Sequence, residues 1–173
     1  MKNLLPILFV LIISSCSKEI PIDQVVEIDG IHYEIHSPEK PFTGVVFQRN
    51  ENGQLKYKST IKNGKLEGPF EVYYENGQLE FKGNYKNGWW DGPFEDFYEN
   101  GQLKSKGTRK GTRQDRTLHE SSQDYYENGQ LKYKWNYKDG KRDGLNEYYL
   151  ENGELQSSRC FKNGDPIDMS YCD

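Results

Sequence analysis

The chain has 173 residues, with 23 basic and 27 acidic side chains and a formal net charge of −4. A mildly acidic chain of this kind is a poor nucleic-acid binder, and its length is one domain's worth. Only 34 % of residues are hydrophobic and 29 % are charged, which would mean disorder if the apolar residues were scattered. Instead the aromatics, 14 % with 13 Tyr, recur at fixed places, so the chain is predicted to be folded but thin.

Residues 1–15 are of a different class. Lys2 gives a positive start, residues 4–13 are apolar, and Ser14-Ser15 leads into Cys16. The run is shorter than the roughly 20 apolar residues of a spanning helix, and its three-part layout is that of a secretory signal. The ending Ile13-Ser14-Ser15-Cys16 resembles the bacterial lipobox. That resemblance implies cleavage before Cys16 and acylation of its thiol; an ordinary signal with a chance Cys is the alternative. Several acyl chains hold a protein to a membrane stably. The expected location is therefore a bacterial cell envelope, lipid-anchored on the periplasmic or surface side. Without Lys2 the basic residues number 22 against 27 acidic, a net −5.

Residues 16–24 read as a tether and 25–50 as an N-terminal β cap. Within the cap, 41–47 aligns with 67–71, one repeat earlier. From 51 to 173 the chain repeats. Glu-Asn-Gly occurs at 51–53, 75–77, 99–101, 127–129 and 151–153, and a second Gly follows at 64, 88, 140 and 164. Asn-Gly is a strong hairpin signal, because a type I′ turn needs positive φ at both central residues. If Asn63-Gly64 is such a turn, Leu55 faces Val72, Tyr57 faces Phe70 and Ile61 faces Leu66. With Asn76-Gly77 central, Tyr74 faces Leu79 and Val72 faces Phe81. Every partner is apolar, and a one-residue slip would break the agreement. Lys56, Lys58, Glu71, Lys82, Glu95 and Lys132 fall on the opposite, solvated face. The predicted fold is all-β: an elongated, twisted antiparallel meander of repeated hairpins, about a dozen strands and on the order of 60 Å long. Helix is expected only in the signal segment.

The third unit, about 104–126, is degenerate. It carries four extra residues within 106–122, and a longer, mobile loop is expected there. At the C-terminus Cys160 and Cys172 flank a turn-like segment, 162–166. In an oxidising compartment they are candidates for a disulfide stapling the last hairpin; two free thiols are the alternative.

The segments Tyr74-Glu75-Asn76-Gly77-Gln78-Leu79, Tyr85-Lys86-Asn87-Gly88 and Asp91-Gly92-Pro93-Phe94, with their equivalents, resemble the variant MORN repeat of YwqK-type bacterial antitoxin-like proteins. The resemblance covers about 41–165. It implies a scaffold or binding surface and an association with toxin neutralisation.

A search for chemistry finds no catalytic constellation, no cofactor motif and no metal-ligand spacing. His32 and His36 are about 13 Å apart along a strand, too far to share an ion, and His119 has no nearby Cys. The Glu residues that recur before Asn-Gly read as turn chemistry, and the Gly residues lack a strand–loop–helix setting for phosphate. The chain is not expected to be an enzyme. Two binding features stand out. Trp89 occupies a place that is Lys65, Lys141 or Asp165 in other units, either as an exposed anchor or folded over its own sheet. Lys104, Lys106, Arg109, Lys110, Arg113 and Arg116 form a basic run, either an interaction patch or a solvated loop. Together they are expected to form one patch. The expected function is non-catalytic: binding another protein, with antitoxin or immunity activity as the specific form. The alternative is an envelope structural protein that binds membrane lipid or cell-wall polymer directly.

Overall fold

The computed structural model describes residues 17–111 and 118–172. Turn chemistry sets the layout. At Asp29-Gly30, Asn63-Gly64, Asn87-Gly88, Asp139-Gly140 and Asn163-Gly164 both residues have positive φ, the two-residue type I′ turn. The Glu-Asn-Gly turns differ from the expectation. In Glu75-Asn76-Gly77 only the glycine has positive φ, 83°. Tyr74 N–H donates to the Gln78 carbonyl at 2.9 Å, closing a three-residue loop. Asn76 works through its side chain, whose Oδ1 accepts from Gln78 N–H at 2.8 Å. Asn52, Asn100, Asn128 and Asn152 do the same. Asn is as suited to closing its own loop in this way as to entering the left-handed region.

The strands are β1 (Glu19–Pro21), β2 (Val25–Ile28), β3 (Ile31–Glu34), β4 (Ser37–Pro41), β5 (Gly44–Arg49), β6 (Leu55–Lys62), β7 (Lys65–Tyr73), β8 (Leu79–Lys86), β9 (Trp89–Phe97), β10 (Leu103–Lys110), β11 (Leu118–Tyr125), β12 (Leu131–Lys138), β13 (Lys141–Arg142), β14 (Gly144–Tyr149), β15 (Leu155–Lys162) and β16 (Asp165–Ile167). Among the described residues the only helical pieces are the 3-10 turns Ile22–Gln24 and Met169–Tyr171. Thirteen strands make one sheet, ordered β1-β5-β6-β7-β8-β9-β10-β11-β12-β14-β15-β16 with β13 on β12; β2-β3-β4 form a second, three-stranded sheet. The fold is the all-β hairpin meander.

Two boundaries move. β5 pairs with β6 in the long sheet, so the cap is β2–β4 and ends at Pro41. Part of the expected tether is strand: β1 runs parallel to β5. Ile20, 6 % exposed, is the cause, because it packs with Phe42, Val46 and Ile61 in a compact core. Gly44 permits the approach, since a Cβ there would strike the Lys18 carbonyl.

Register holds next to the type I′ turn and slips beyond it, whereas at the Glu-Asn-Gly turn the pair nearest the loop is the one that shifts. Ile61 faces Leu66 and Val72 faces Phe81, as the pattern predicts. Past Gly68 the pairing shifts by two, so that Tyr57 faces Val72 and Ser59 faces Phe70. Near the Glu-Asn-Gly turn Leu79 faces Tyr73, not Tyr74. Gly68, Gly92 and Gly144 have φ of 90°, 99° and 100° and lie where the register breaks. They are bulges that re-aim the strand without changing which face each ring occupies, because an even slip preserves parity.

Both edges of the ribbon are stitched from repeat to repeat. On one, Gly64, Gly88 and Gly164 N–H groups donate at 2.8 Å to the carbonyls of Phe42, Leu66 and Arg142. On the other, the Tyr74, Tyr98 and Tyr126 hydroxyls donate to the carbonyls of Phe97, Tyr125 and Tyr149 at 2.7, 2.7 and 3.0 Å. Asn52, Asn76 and Asn128 Nδ2 donate to the carbonyls of Glu75, Glu99 and Glu151. The cap docks on the first edge: His32 N–H donates to Gly64 O at 2.8 Å, and His32 Nδ1 lies 2.9 Å from the same oxygen.

Candidate functional site

One face of the ribbon is aromatic. Tyr85 stacks on Trp90 at 4.1 Å between ring centroids. Phe70 meets Tyr57, Phe81, Tyr85 and Trp90 edge-on at 5.2–5.8 Å. A second group, Tyr133, Trp135 and Tyr148, is stacked at 5.0 and 4.8 Å. Edge-on and offset pairs of this kind add to the burial gain of each ring. Gly83 and Gly107 make the packing possible, because a Cβ at either would strike the ring of Trp90 or Phe94. Among the described residues no second layer covers these rings, and most remain partly exposed. Burial holds the Tyr85 hydroxyl up to about 12.

Arg109 lies across this face, its guanidinium 3.8 Å from the Phe94 ring centroid and within 6 Å of Phe81 and Trp90. Burial lowers its pKa, while Asp96 and Tyr85 act to raise it. Its Nε has no hydrogen-bond partner among the described residues. Arg142 repeats the arrangement 4.5 Å from the Trp135 ring centroid.

The other face carries a ladder of charges in register: Lys58, Glu71, Lys82 and Glu95 on successive strands, then Lys106, Gln123, Lys134 and Glu147. Lys82 and Glu95 pair at 2.7 Å, and Lys134 and Glu147 at 3.1 Å. Opposite charges across strands add a few tenths of a kcal/mol to about 1 kcal/mol each.

Where the cap overhangs the type I′ turn at Asn87-Gly88 there is a cleft of about 870 Å³. Trp89, Trp90 and Tyr85 line one side; Glu27, Asp29 and His32 line the other.

These placements split the expected patch. Trp89 belongs to the cleft. Arg109 is on the aromatic face, whereas Lys104, Lys106 and Lys110 alternate to the charged face of β10, with Lys104 and Lys106 over the Tyr98 and Tyr125 rings. Strand alternation separates neighbours in sequence. Arg113 and Arg116 lie outside the described residues, as do Cys16, the signal segment and most of the extra residues of the third unit. Cys160 and Cys172 are bonded, with Cα atoms 5.9 Å apart.

A model of the MORN repeat variant matches residues 42–63, 66–87, 90–110, 121–139 and 142–163, more than half of the chain. The chain belongs to the MORN repeat variant family. The first MORN repeat starts at Phe42, consistent with β5 lying in the long sheet. The repeats pass over 111–120, where the extra residues fall. No curated protein matches the chain. Among solved structures it is similar to a chain of "Crystal structure of GtfA/B complex bound to UDP and GlcNAc", at 14 % identity, over 79 % of this chain and 27 % of that one, with a TM-score of 0.25.

Reading the sequence missed the Tyr hydroxyl ladder, the docking role of His32 and the Glu27–Asp29 wall of the cleft. A signal for the first was present: Tyr precedes Glu-Asn-Gly at 74, 98 and 126. For the others there was none, since cap and repeat meet only in the fold. Among the described residues no group of three or more His, Cys, Asp or Glu gathers to hold a metal ion.

Proposed function

We propose that this MORN repeat chain is a non-catalytic binding protein, lipid-anchored through Cys16 on a bacterial cell envelope, whose aromatic face receives another protein. Antitoxin or immunity activity of the YwqK type is its specific form. The observation that carries the reading is the single-layer sheet. Tyr57, Phe70, Phe81, Tyr85 and Trp90 form one contiguous ring surface that no second layer covers among the described residues. A large aromatic surface left partly exposed marks an interaction site, and interfaces are enriched in Tyr, Trp and Arg. Arg109 and Asp96 lie among these rings, which suits a protein surface with its mixed polarity better than a hydrocarbon one.

The second reading is an envelope structural protein that binds lipid or cell-wall polymer. The mixed aromatic and polar cleft beside Trp89 favours it. Purification of the full chain from native membranes under mild crosslinking separates the two. A stoichiometric protein supports the first; lipid or glycan alone overturns it in favour of the second. Cys16→Ala releases the chain from membranes if Cys16 is acylated, and unchanged membrane retention overturns the anchor.

A further inference from the structure

The cleft beside the cap arises from a mismatch between two edges. The cap covers the Asn63-Gly64 turn closely: a Cβ at Gly64 would strike the side chains of Ile31 and Pro41. The Asn87-Gly88 turn is uncovered by the described residues, and the nearest atom to a Cβ at Gly88 is Cβ of Lys65 at 4.0 Å. The β2–β3 hairpin therefore overhangs an open step. Trp89 stands at the start of that step, in the place of Lys65, Lys141 and Asp165 elsewhere. Its neighbour Trp90 is committed to Tyr85, Phe70 and Phe81. None of the ring contacts among the described residues engages Trp89, so its indole is available to the cleft.

We propose that this cleft binds a saccharide, with a pyranose ring stacked on Trp89. A sugar ring has an apolar C–H face that suits an indole, and a rim of hydroxyls that each donate and accept. The cleft offers both kinds of partner. Glu27 and Asp29 accept; Lys65 and the Trp89 indole N–H donate. His32 Nδ1 is turned to the Gly64 carbonyl at 2.9 Å, which leaves Nε2 as the nitrogen that can meet a ligand. It stands 3.6 Å from Glu27 Oε2, beyond hydrogen-bond length, so the pair suits two neighbouring hydroxyls of one sugar ring, one hydroxyl for each group. The volume of about 870 Å³ lies within the range of small-ligand sites. A basic peptide fits less well, because Lys65 stands among the carboxylates. A membrane surface fits less well, because the site is concave and carries no excess of positive charge. The inference is independent of which protein the aromatic face receives.

The test uses the full chain in a detergent without a sugar headgroup. Chitotetraose, cellotetraose and laminaritetraose are titrated by calorimetry and tryptophan fluorescence. At least one is expected to bind with a dissociation constant between micromolar and millimolar. Trp89→Lys places the residue of the first and fourth repeats in the second, which protects the fold. It is expected to weaken binding roughly tenfold or more with unchanged circular dichroism and melting. Glu27→Gln with Asp29→Asn is expected to weaken it too. Silence with all three oligosaccharides at millimolar concentration, or wild-type binding by Trp89→Lys, overturns the proposal. Either result leaves the protein-partner reading standing, because Trp89 is not part of the ring cluster around Phe70.

Discussion

Ser122 and Trp135 face each other across β11 and β12, and together they exchange the sizes that the earlier repeats use. Along this row the residues run Ser59, Phe70, Gly83, Phe94 and Gly107, small and large in turn. Ser122 then stands at a ring position and Trp135 at a small one. Gly107 and Ser122 become adjacent, flooring a slot of about 310 Å³ between Phe94 and Trp135.

The exchange predicts a coupling. Trp135→Gly should cost about 2–3 kcal/mol, towards the low end for a large-to-small change because the ring is only partly buried. Ser122→Phe alone should cost about 1–3 kcal/mol by crowding Trp135. The double variant restores the order of the earlier repeats, so it should be more stable than the sum of the singles by about 1 kcal/mol or more. Urea unfolding of the four proteins measures this. Strict additivity would mean that the row is not packed as a unit.

Gly77 closes a Glu-Asn-Gly loop at φ 83°, and a Cβ there would lie 3.1 Å from Gln54 Nε2 of the preceding repeat. Gly77→Val combines a β-branched residue at positive φ with that contact. It should destabilise by about 1–3 kcal/mol. The loss should be centred on the loop and on its Asn52 contact to the Glu75 carbonyl. An unchanged melting temperature would remove Gly77 from this role.

How far the sequence reached depended on the kind of turn and on the bulges beyond it. Ile61 opposite Leu66 was legible because a type I′ turn fixes register over its first residues. Tyr57 opposite Phe70 was not, because Gly68 reads as a plain Gly-Pro break until its φ of 90° is seen. The same Asn-Gly pair serves two turn types, and the dipeptide alone does not say whether Asn enters the left-handed region or bonds its own loop. Trp90 is equivalent in the repeat to the apolar Leu66, and it stacks on Tyr85 on the aromatic face. The basic run read as one patch because charge density ignores alternation, which sends Arg109 to one face and Lys106 to the other. The cleft was invisible because its two walls are far apart in sequence.

Asp143 ties the last type I′ turn to the preceding repeat. It accepts from Asn163 N–H at 3.2 Å and from Lys162 Nζ at 3.3 Å, and the Asn163 bond chiefly holds its pKa below the ordinary carboxylate value. A lowered folded pKa means that its stabilisation is present in full above the unfolded value of about 3.9 and is lost as pH falls through the folded value. Protection of the Asn163 amide against exchange, corrected for intrinsic rate, should therefore fall as the pH drops below about 4. The Asn63-Gly64 turn supplies the control. There Asn63 N–H donates to Thr43 Oγ1 at 2.9 Å, a group that does not titrate. Asp143→Asn should abolish the difference between the two turns. Equal acid sensitivity at Asn63 and Asn163 would detach the effect from Asp143.

The disulfide should stabilise the C-terminal end alone. Cys160 is 1 % exposed on β15, and its bond to Cys172, twelve residues on, closes a loop over β16 and the Met169–Tyr171 turn. That segment has little else to hold it: β16 is three residues long and Tyr171 is 79 % exposed. Closing a loop of this length is worth roughly 3 kcal/mol in the chain-entropy account. Repeats in an array contact only their neighbours, so the loss on reduction should stay local. Hydrogen exchange under reducing conditions should rise sharply across 160–172, modestly in β14, and not at all around Gly77. The variant with both cysteines changed to serine should match the reduced protein. A uniform rise along the whole ribbon would show that the array unfolds as one unit and that its end is not an independent cap.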